Sequence, residues 1–150
     1  VTGEEPEPLR YTGFMIRRAQ QRHVAVWQSE VSPDISSVQY GVLSVLERLP
    51  RASQRELGDE LDLDRSTIAD LVARLERRGL IERKRHGIDR RRYELSLSEG
   101  GHAELRRLRP HVDEVERVLT DRLTEVETDE LRRLLALVLV PQPVLATEVG

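Results

Sequence analysis

The sequence predicts a mainly α-helical fold built around a lobe of three helices and a two-stranded antiparallel hairpin, with further helices on either side. Three observations predict it. Two helix-start signals, Ser53-Gln54-Arg55-Glu56 and Asp64, lie so close together that only Asp62-Leu63 connects the helices they open. Tyr93, Leu95 and Leu97 alternate as a strand does, after a first extended run at Ile81 to His86. Elsewhere, apolar residues recur at three- and four-residue steps, the period of a helix with one buried face.

In chain order, residues 1–8 are acidic and proline-containing and are expected to be a disordered tail. A first helix, within a segment 9–34, starts near Leu9 and carries Leu9, Ile16, Ala19, His23, Val26 and Trp27 on one side until Ser32-Pro33 breaks it. A lobe over 35–97 follows. It opens with a helix from Ile35 or Ser36 to Leu49, with Val38, Val42, Val45, Leu46 and Leu49 expected inside and Pro50 as its stop. Ser53 and Glu56 form a capping box for a short helix through Leu61. Asp64 then caps another, in which Ile68, Leu71, Val72 and Leu75 face inward and Gly79 closes the end. Two helices joined this tightly cross steeply, with Gly58 giving the crossing room, which is the helix-turn-helix arrangement. Asp62 stands where a turn needs left-handed backbone, which aspartate tolerates.

Gly87-Ile88-Asp89-Arg90 reads as the turn of the hairpin, a wing that must lean on the helices before it. Over 98–141, Ser98 opens a long helix with a heptad-like seam of Leu105, Leu108, Val112, Val115, either Leu119 or Val118, and Leu123, bent at Pro110. Thr128 is expected to cap a last helix carrying Leu131, Leu134, Leu135, Val138 and Leu139, which Pro141 and Pro143 end. Residues 142–150 are read as a tail.

Composition limits the function. The 150 residues are 38% hydrophobic and 34% charged, a modest apolar share that a partner subunit would help to cover. There is no cysteine, so disulfides and thiol chemistry are excluded. The four histidines do not cluster with carboxylates, so no metal or other cofactor is expected. No nucleophile-elbow, phosphate-loop or metal-ligand motif supports an enzyme. The most apolar stretch, Leu134 to Val140, is far short of the roughly 20 residues that span a bilayer, so no membrane is expected and a cytoplasmic location follows.

The net charge of −3 hides a strong asymmetry. From 74 to 92, nine basic residues (Arg74, Arg77, Arg78, Arg83, Lys84, Arg85, Arg90, Arg91 and Arg92) stand against Glu76, Glu82 and Asp89, so this window is +6 and the remainder −9. A basic segment on an acidic body is the footprint of a phosphate-binding surface, or else an ordinary solvated face.

The run Asp89-Arg90-Arg91-Arg92-Tyr93-Glu94-Leu95-Ser96-Leu97-Ser98-Glu99-Gly100-Gly101 resembles the wing of the MarR family, in which D-x-R precedes L-x-L-[ST]-x-x-G, and the plan from Leu9 to Val140 is similar throughout. The resemblance implies a homodimeric winged helix-turn-helix regulator, usually a repressor, that pairs through its first and last two helices. It gives Arg91 a place in the minor groove and Asp89 the task of fixing the wing. With the apolar stripe of the second helix inward, Arg65, Ser66, Thr67, Asp70, Arg74 and Arg77 are placed at the major groove, with Arg90 beside Arg91 at the wing. Asp70 either accepts from a cytosine amine or orients an arginine. Double-stranded DNA with pseudo-palindromic half-sites about 10 bp apart is the expected partner.

The family usually senses small aromatic or lipophilic molecules, and Gly13 to His23 is similar to first helices of relatives that govern aromatic-acid catabolism. His23 and Trp27 are expected to stack on and hydrogen-bond such a ligand, with Arg17, Arg18 or Arg22 meeting a carboxylate and Tyr40 closing the side. His23 and Trp27 as dimer core is the alternative. A winged helix used for protein association, or a regulator without a ligand, also remains open at this point.

Overall fold

The computed structural model describes residues 7–140; the predicted tail over 142–150, most of that over 1–8, and the stop signals Pro141 and Pro143 lie outside them. A 3-10 turn, Glu7–Arg10, precedes α1 (Thr12–Glu30), α2 (Ser37–Arg48), α3 (Gln54–Leu61), α4 (Arg65–Arg77), β1 (Ile81–Arg85), β2 (Tyr93–Leu97), α5 (Glu99–Leu119) and α6 (Glu125–Leu139). The first α-helix thus starts later than Leu9. Tyr11, at φ −97° and ψ 122°, breaks the turn from the helix.

The capping signals decide the lobe. Ser53 and Glu56 form the predicted box at α3, and Asp62 ends that helix in left-handed backbone at φ 51°. Asp64 caps α4 by accepting from the N–H groups of Ser66 and Thr67. A Cβ on Gly58 would lie 3.0 Å from the carbonyl oxygen of Leu63, so the α3–α4 crossing is tight there. α5 meets the lobe more closely still. A Cβ on Gly101 would stand 2.0 Å from the carbonyl oxygen of Leu80, which explains the glycine that closes the wing-to-helix run.

β1 and β2 pair antiparallel from Ile81 with Leu97 to Arg85 with Tyr93. Leu95 N–H donates to the Ala52 carbonyl at 2.8 Å, which ties the hairpin to the α2–α3 connection. The core gathers Ile35, Leu43, Leu46, Leu57, Ile68, Leu75, Leu95, Leu105 and Leu108 among its buried members, drawn from every layer of the lobe and from α5. Each such side chain contributes about 2 kcal/mol by leaving water.

Several expectations need correction. Val38 is 40% exposed, and Gln39 and Leu43 take the inward positions on α2. Gln39 is accommodated because its side chain accepts from the Ser36 N–H at 2.9 Å while Ser36 caps its own. β1 stops at Arg85, so the wing loop is 86–92, longer than the turn Gly87–Arg90. α6 is capped by Thr124, not Thr128, because Glu127 completes a capping box with Thr124 and places Thr128 inside the helix. Finally, the seam of α5 is used within the chain. Leu105 and Leu108 join the lobe core, and Val115 is buried where α5 packs along α1.

Candidate nucleic-acid interface

α4 buries Ile68, Val72 and Leu75, with Leu71 half-buried, and so turns Ser66, Asp70, Arg74 and Arg77 to solvent. Its first turn is organised by Asp64. Oδ1 accepts from Ser66 N–H (2.9 Å), Thr67 N–H (3.0 Å) and the Ser66 hydroxyl (2.6 Å), and Oδ2 from the Thr67 hydroxyl (2.5 Å). The Ser66 and Thr67 hydroxyls hold this carboxyl far below the usual carboxylate range. Two consequences follow. The helix N–H groups that would otherwise receive a phosphate are already occupied by a negative charge. Ser66 and Thr67 give their hydroxyl protons to Asp64, so the oxygens offer lone pairs outward, the complement of an amino group on a base edge.

In the free chain the Asp70 carboxylate pairs with Arg74 at 2.8 Å, one turn on. Arg77 and Arg65 are exposed at the two ends of the helix.

On the wing, Arg83 and Arg85 both approach the Tyr93 ring, at 5.4 and 5.7 Å from its centroid, and Arg83 also pairs with Glu76 at 3.0 Å. Asp89 accepts the Arg91 N–H on its carboxylate at 3.1 Å and the Arg92 N–H on its carbonyl at 3.0 Å, which shapes the tip. Arg90 and Arg91 are exposed there and make no ion pair among the described residues. A hollow of about 490 Å³ separates the wing root from the helices, lined by Gln54, Arg55 and Asp59 of α3 together with Arg65, Arg92 and Tyr93. The sequence reading passed over Gln54, Arg55 and Asp59. The polar face of α3 opposite Leu57 was the available signal. One predicted cation is used otherwise, since Arg78 Nη1 donates to the Asp34 carbonyl at 2.6 Å.

The residues proposed from sequence for a small molecule divide into two sets. His23, Trp27 and Tyr40 come together, with ring centroids 5.9 Å apart for the first pair and 5.7 Å for the second. Trp27 is only 5% exposed, and its indole N–H donates to the Ile35 carbonyl at 2.6 Å, so the donor is committed within the chain. Arg17 and Arg18 are exposed on α1, and Arg22 Nη2 donates to the Val118 carbonyl at 3.1 Å. A cation the sequence reading missed, Arg109 of α5, pairs with Glu47 at 2.6 Å. A second hollow, about 470 Å³, lies at the α5–α6 corner beside Thr120 and Arg132, away from this cluster. Among the described residues no group of three or more His, Asp or Glu side chains is placed to hold a metal ion, and no helix is long and apolar enough to cross a membrane.

A helix-turn-helix with a polar outward stripe, beside a basic two-stranded wing, defines a winged-helix DNA-binding protein. The MarR family model matches residues 34–92. The transcriptional regulator HosA of Escherichia coli O127:H6 is 32% identical over 127 residues, covering 84% of this chain and 93% of that protein. The chain belongs to the MarR family of transcriptional regulators. Among solved structures, the PcaV regulator of Streptomyces coelicolor in complex with its natural ligand superposes with a TM-score of 0.85 at 36% identity, covering 90% of this chain and 96% of that one. BpsR of Bordetella bronchiseptica, whose DNA binding is regulated by 6-hydroxynicotinic acid, gives a TM-score of 0.77 at 25% identity, covering 84% of this chain and 96% of that one.

Proposed function

We propose that two copies of this chain pair through α1, α6 and the end of α5 and present two α4 helices to a pseudo-palindromic operator. The pair represses transcription and is released by a small aromatic or phenolic acid. The observation that carries the dimer is α6. None of its residues is buried, yet Leu131, Leu134, Leu135, Leu137, Val138 and Leu139 are all exposed, and Phe14, Met15 and Ile16 of α1 are exposed as well. Contiguous apolar surface of this kind is covered by a partner in a stable protein. Two-fold pairing then sets the half-sites about 10 bp apart. Ser66, Thr67, Arg74 and Arg77 read or approach the major groove, Arg65 and Arg92 flank the strand, and Arg90 and Arg91, held by Asp89, reach the minor groove.

The ligand reading rests on the His23–Trp27–Tyr40 cluster, with Arg17 or Arg18 as the cation for a carboxylate. The ligand class is that of the 6-hydroxynicotinic acid that regulates BpsR. A route to DNA supports it. Trp27 holds the carbonyl of Ile35, and the adjacent carbonyl of Asp34 is held by Arg78, the C-cap of α4. A ligand that displaces the indole therefore pulls on the end of the helix that meets DNA, and shifts the population away from the spacing an operator accepts.

The test uses the single tryptophan, Trp27. Its fluorescence is titrated with benzoate- and cinnamate-type acids, with operator binding followed in parallel and mass measured by light scattering. A dimer whose DNA affinity falls steeply with salt and with acid supports the reading. A monomer, or an acid that binds a His23→Ala, Arg18→Ala variant as well as the parent, refutes the corresponding part.

A further inference from the structure

The wing loop is organised around one side chain. Residues 86–92 must return the chain from β1 to β2, and His86 stands at the root, its N–H donating to the Arg92 carbonyl at 2.9 Å. Its ring faces the other way along the loop. Nδ1 accepts from the backbone N–H of Ile88 at 3.2 Å and of Asp89 at 3.1 Å, and Nε2 lies 3.3 Å from Oε1 of Glu94. A nitrogen that accepts from two donors carries no proton, so this pattern assigns the proton to Nε2, the nitrogen on the Glu94 side of the ring.

Both ends of the ring are thereby engaged. Glu94 is gripped by Arg51 of the α2–α3 connection, whose Nε and Nη2 lie 2.7 and 3.1 Å from its two oxygens. The connection runs from the helical body through Arg51, Glu94 and His86 to the backbone of residues 88 and 89. Asp89, whose N–H the imidazole holds, in turn accepts the N–H of Arg91.

We infer that His86 is a positioning residue for DNA binding: its unprotonated Nδ1 shapes the turn that presents Arg90 and Arg91, and protonation of the ring loosens that turn. The inference rests on the reading that the wing meets DNA. The charged and titratable groups around the ring are Glu94 and Tyr93 of β2, Arg51 behind Glu94, Asp89 and Arg92 in the loop, and Arg85 before it. A proton on Nδ1 would face the Ile88 and Asp89 N–H groups and remove both acceptor contacts. The gain on the other side is limited, because Arg51 already pairs with both oxygens of the Glu94 carboxylate. An added positive charge near phosphate acts in the opposite sense and tightens binding in acid, so the sign of the pH response discriminates between the two.

The experiment measures anisotropy of a labelled duplex, selected by the protein from a pool with a randomised centre, from about pH 8 to about pH 5.5, the span in which histidine changes charge. At constant ionic strength the parent is expected to lose about tenfold in affinity toward acid, the worth of two hydrogen bonds. His86→Asn keeps an acceptor oxygen on Cγ where Nδ1 was, without a titrating ring. It should bind within about twofold of the parent at the alkaline end and show a flat profile, which also controls for His23, His102 and His111. His86→Ala should bind weakly throughout, with an unchanged thermal melt. An alanine variant as tight as the parent at pH 8, a parent that tightens in acid, or an asparagine variant that keeps the acid loss overturns the inference. Arg91→Ala separates this from failure of the wing reading. If it weakens binding while His86→Ala does not, only the role of His86 falls; if neither does, the wing is not at the DNA.

Discussion

The winged lobe and the last helix draw on the same apolar residues and end in opposite states. In the lobe, leucines at 43, 57, 75 and 95 are wholly buried, supplied by α2, α3, α4 and β2 in turn. In α6, leucines at 134, 135, 137 and 139 are all exposed, and no residue of the helix is buried. The difference is one of partners, not composition. Each lobe element finds an opposing layer within the chain, whereas α6 has its face prepared and, among the described residues, nothing placed on it. One chain therefore holds a finished domain and an unfinished one, and substitutions in the two should fail differently: the first in stability, the second in assembly.

The sharpest way to break this contrast is Leu135→Glu with Val138→Glu. Charge on the open face of α6 should leave the lobe folded but abolish the dimer, seen as monomer mass by light scattering. Operator affinity should fall about a hundredfold to a thousandfold as bivalent contact is lost. A doubly substituted protein that remains dimeric removes the assignment of α6. Next in size is Leu43→Ala, at a position with no exposure. It should cost about 3 kcal/mol in the lobe by urea unfolding, through lost burial and the cavity left behind. Destabilisation below about 1 kcal/mol would mean that the lobe core is looser than its packing indicates.

The same contrast explains what was legible in the sequence. Short-range chemistry was legible: the Ser53–Glu56 box, left-handed Asp62 and the Asp64 cap are fixed by residues within four positions of one another. The polar stripe of α4 followed from helical period alone. At the start of α6 the expected cap, Thr128, gives way to Thr124, which completes a box with a glutamate three residues on. The burial of Gln39 was not legible, because it depends on a capping contact with Ser36. The groove of Arg55, Asp59 and Arg92, the tether of Arg78 to Asp34 and the engagement of both His86 nitrogens were not legible. Each joins segments that only tertiary packing brings together.

Two smaller effects sharpen the lobe's side of the comparison. Arg91→Ala should reduce operator affinity about tenfold and lower the salt slope by about one, whereas Ser66→Ala with Arg74→Ala should mainly erode discrimination between operator and unrelated duplex. Equal gel-shift titrations for all of them would defeat the docking.

The smallest effect concerns Asp64. Because its carboxyl titrates far below the usual range in the folded chain, its stabilisation is fully present above the unfolded carboxylate value of about 3.9 and is lost as pH falls toward the folded value. Asp64→Asn keeps one acceptor for the helix N–H groups but sacrifices the charge and the second oxygen, the one that takes the Thr67 hydroxyl. Thermal melts should then show the variant a few degrees below the parent at neutral pH, with the gap narrowing progressively below about pH 4, where the parent's Asp64 takes up a proton on unfolding. A gap that stays constant into acid would mean that the ionised carboxylate contributes nothing to the start of α4. The Ser66 and Thr67 oxygens would then be free to turn, and the case for their facing DNA as acceptors would fail with it.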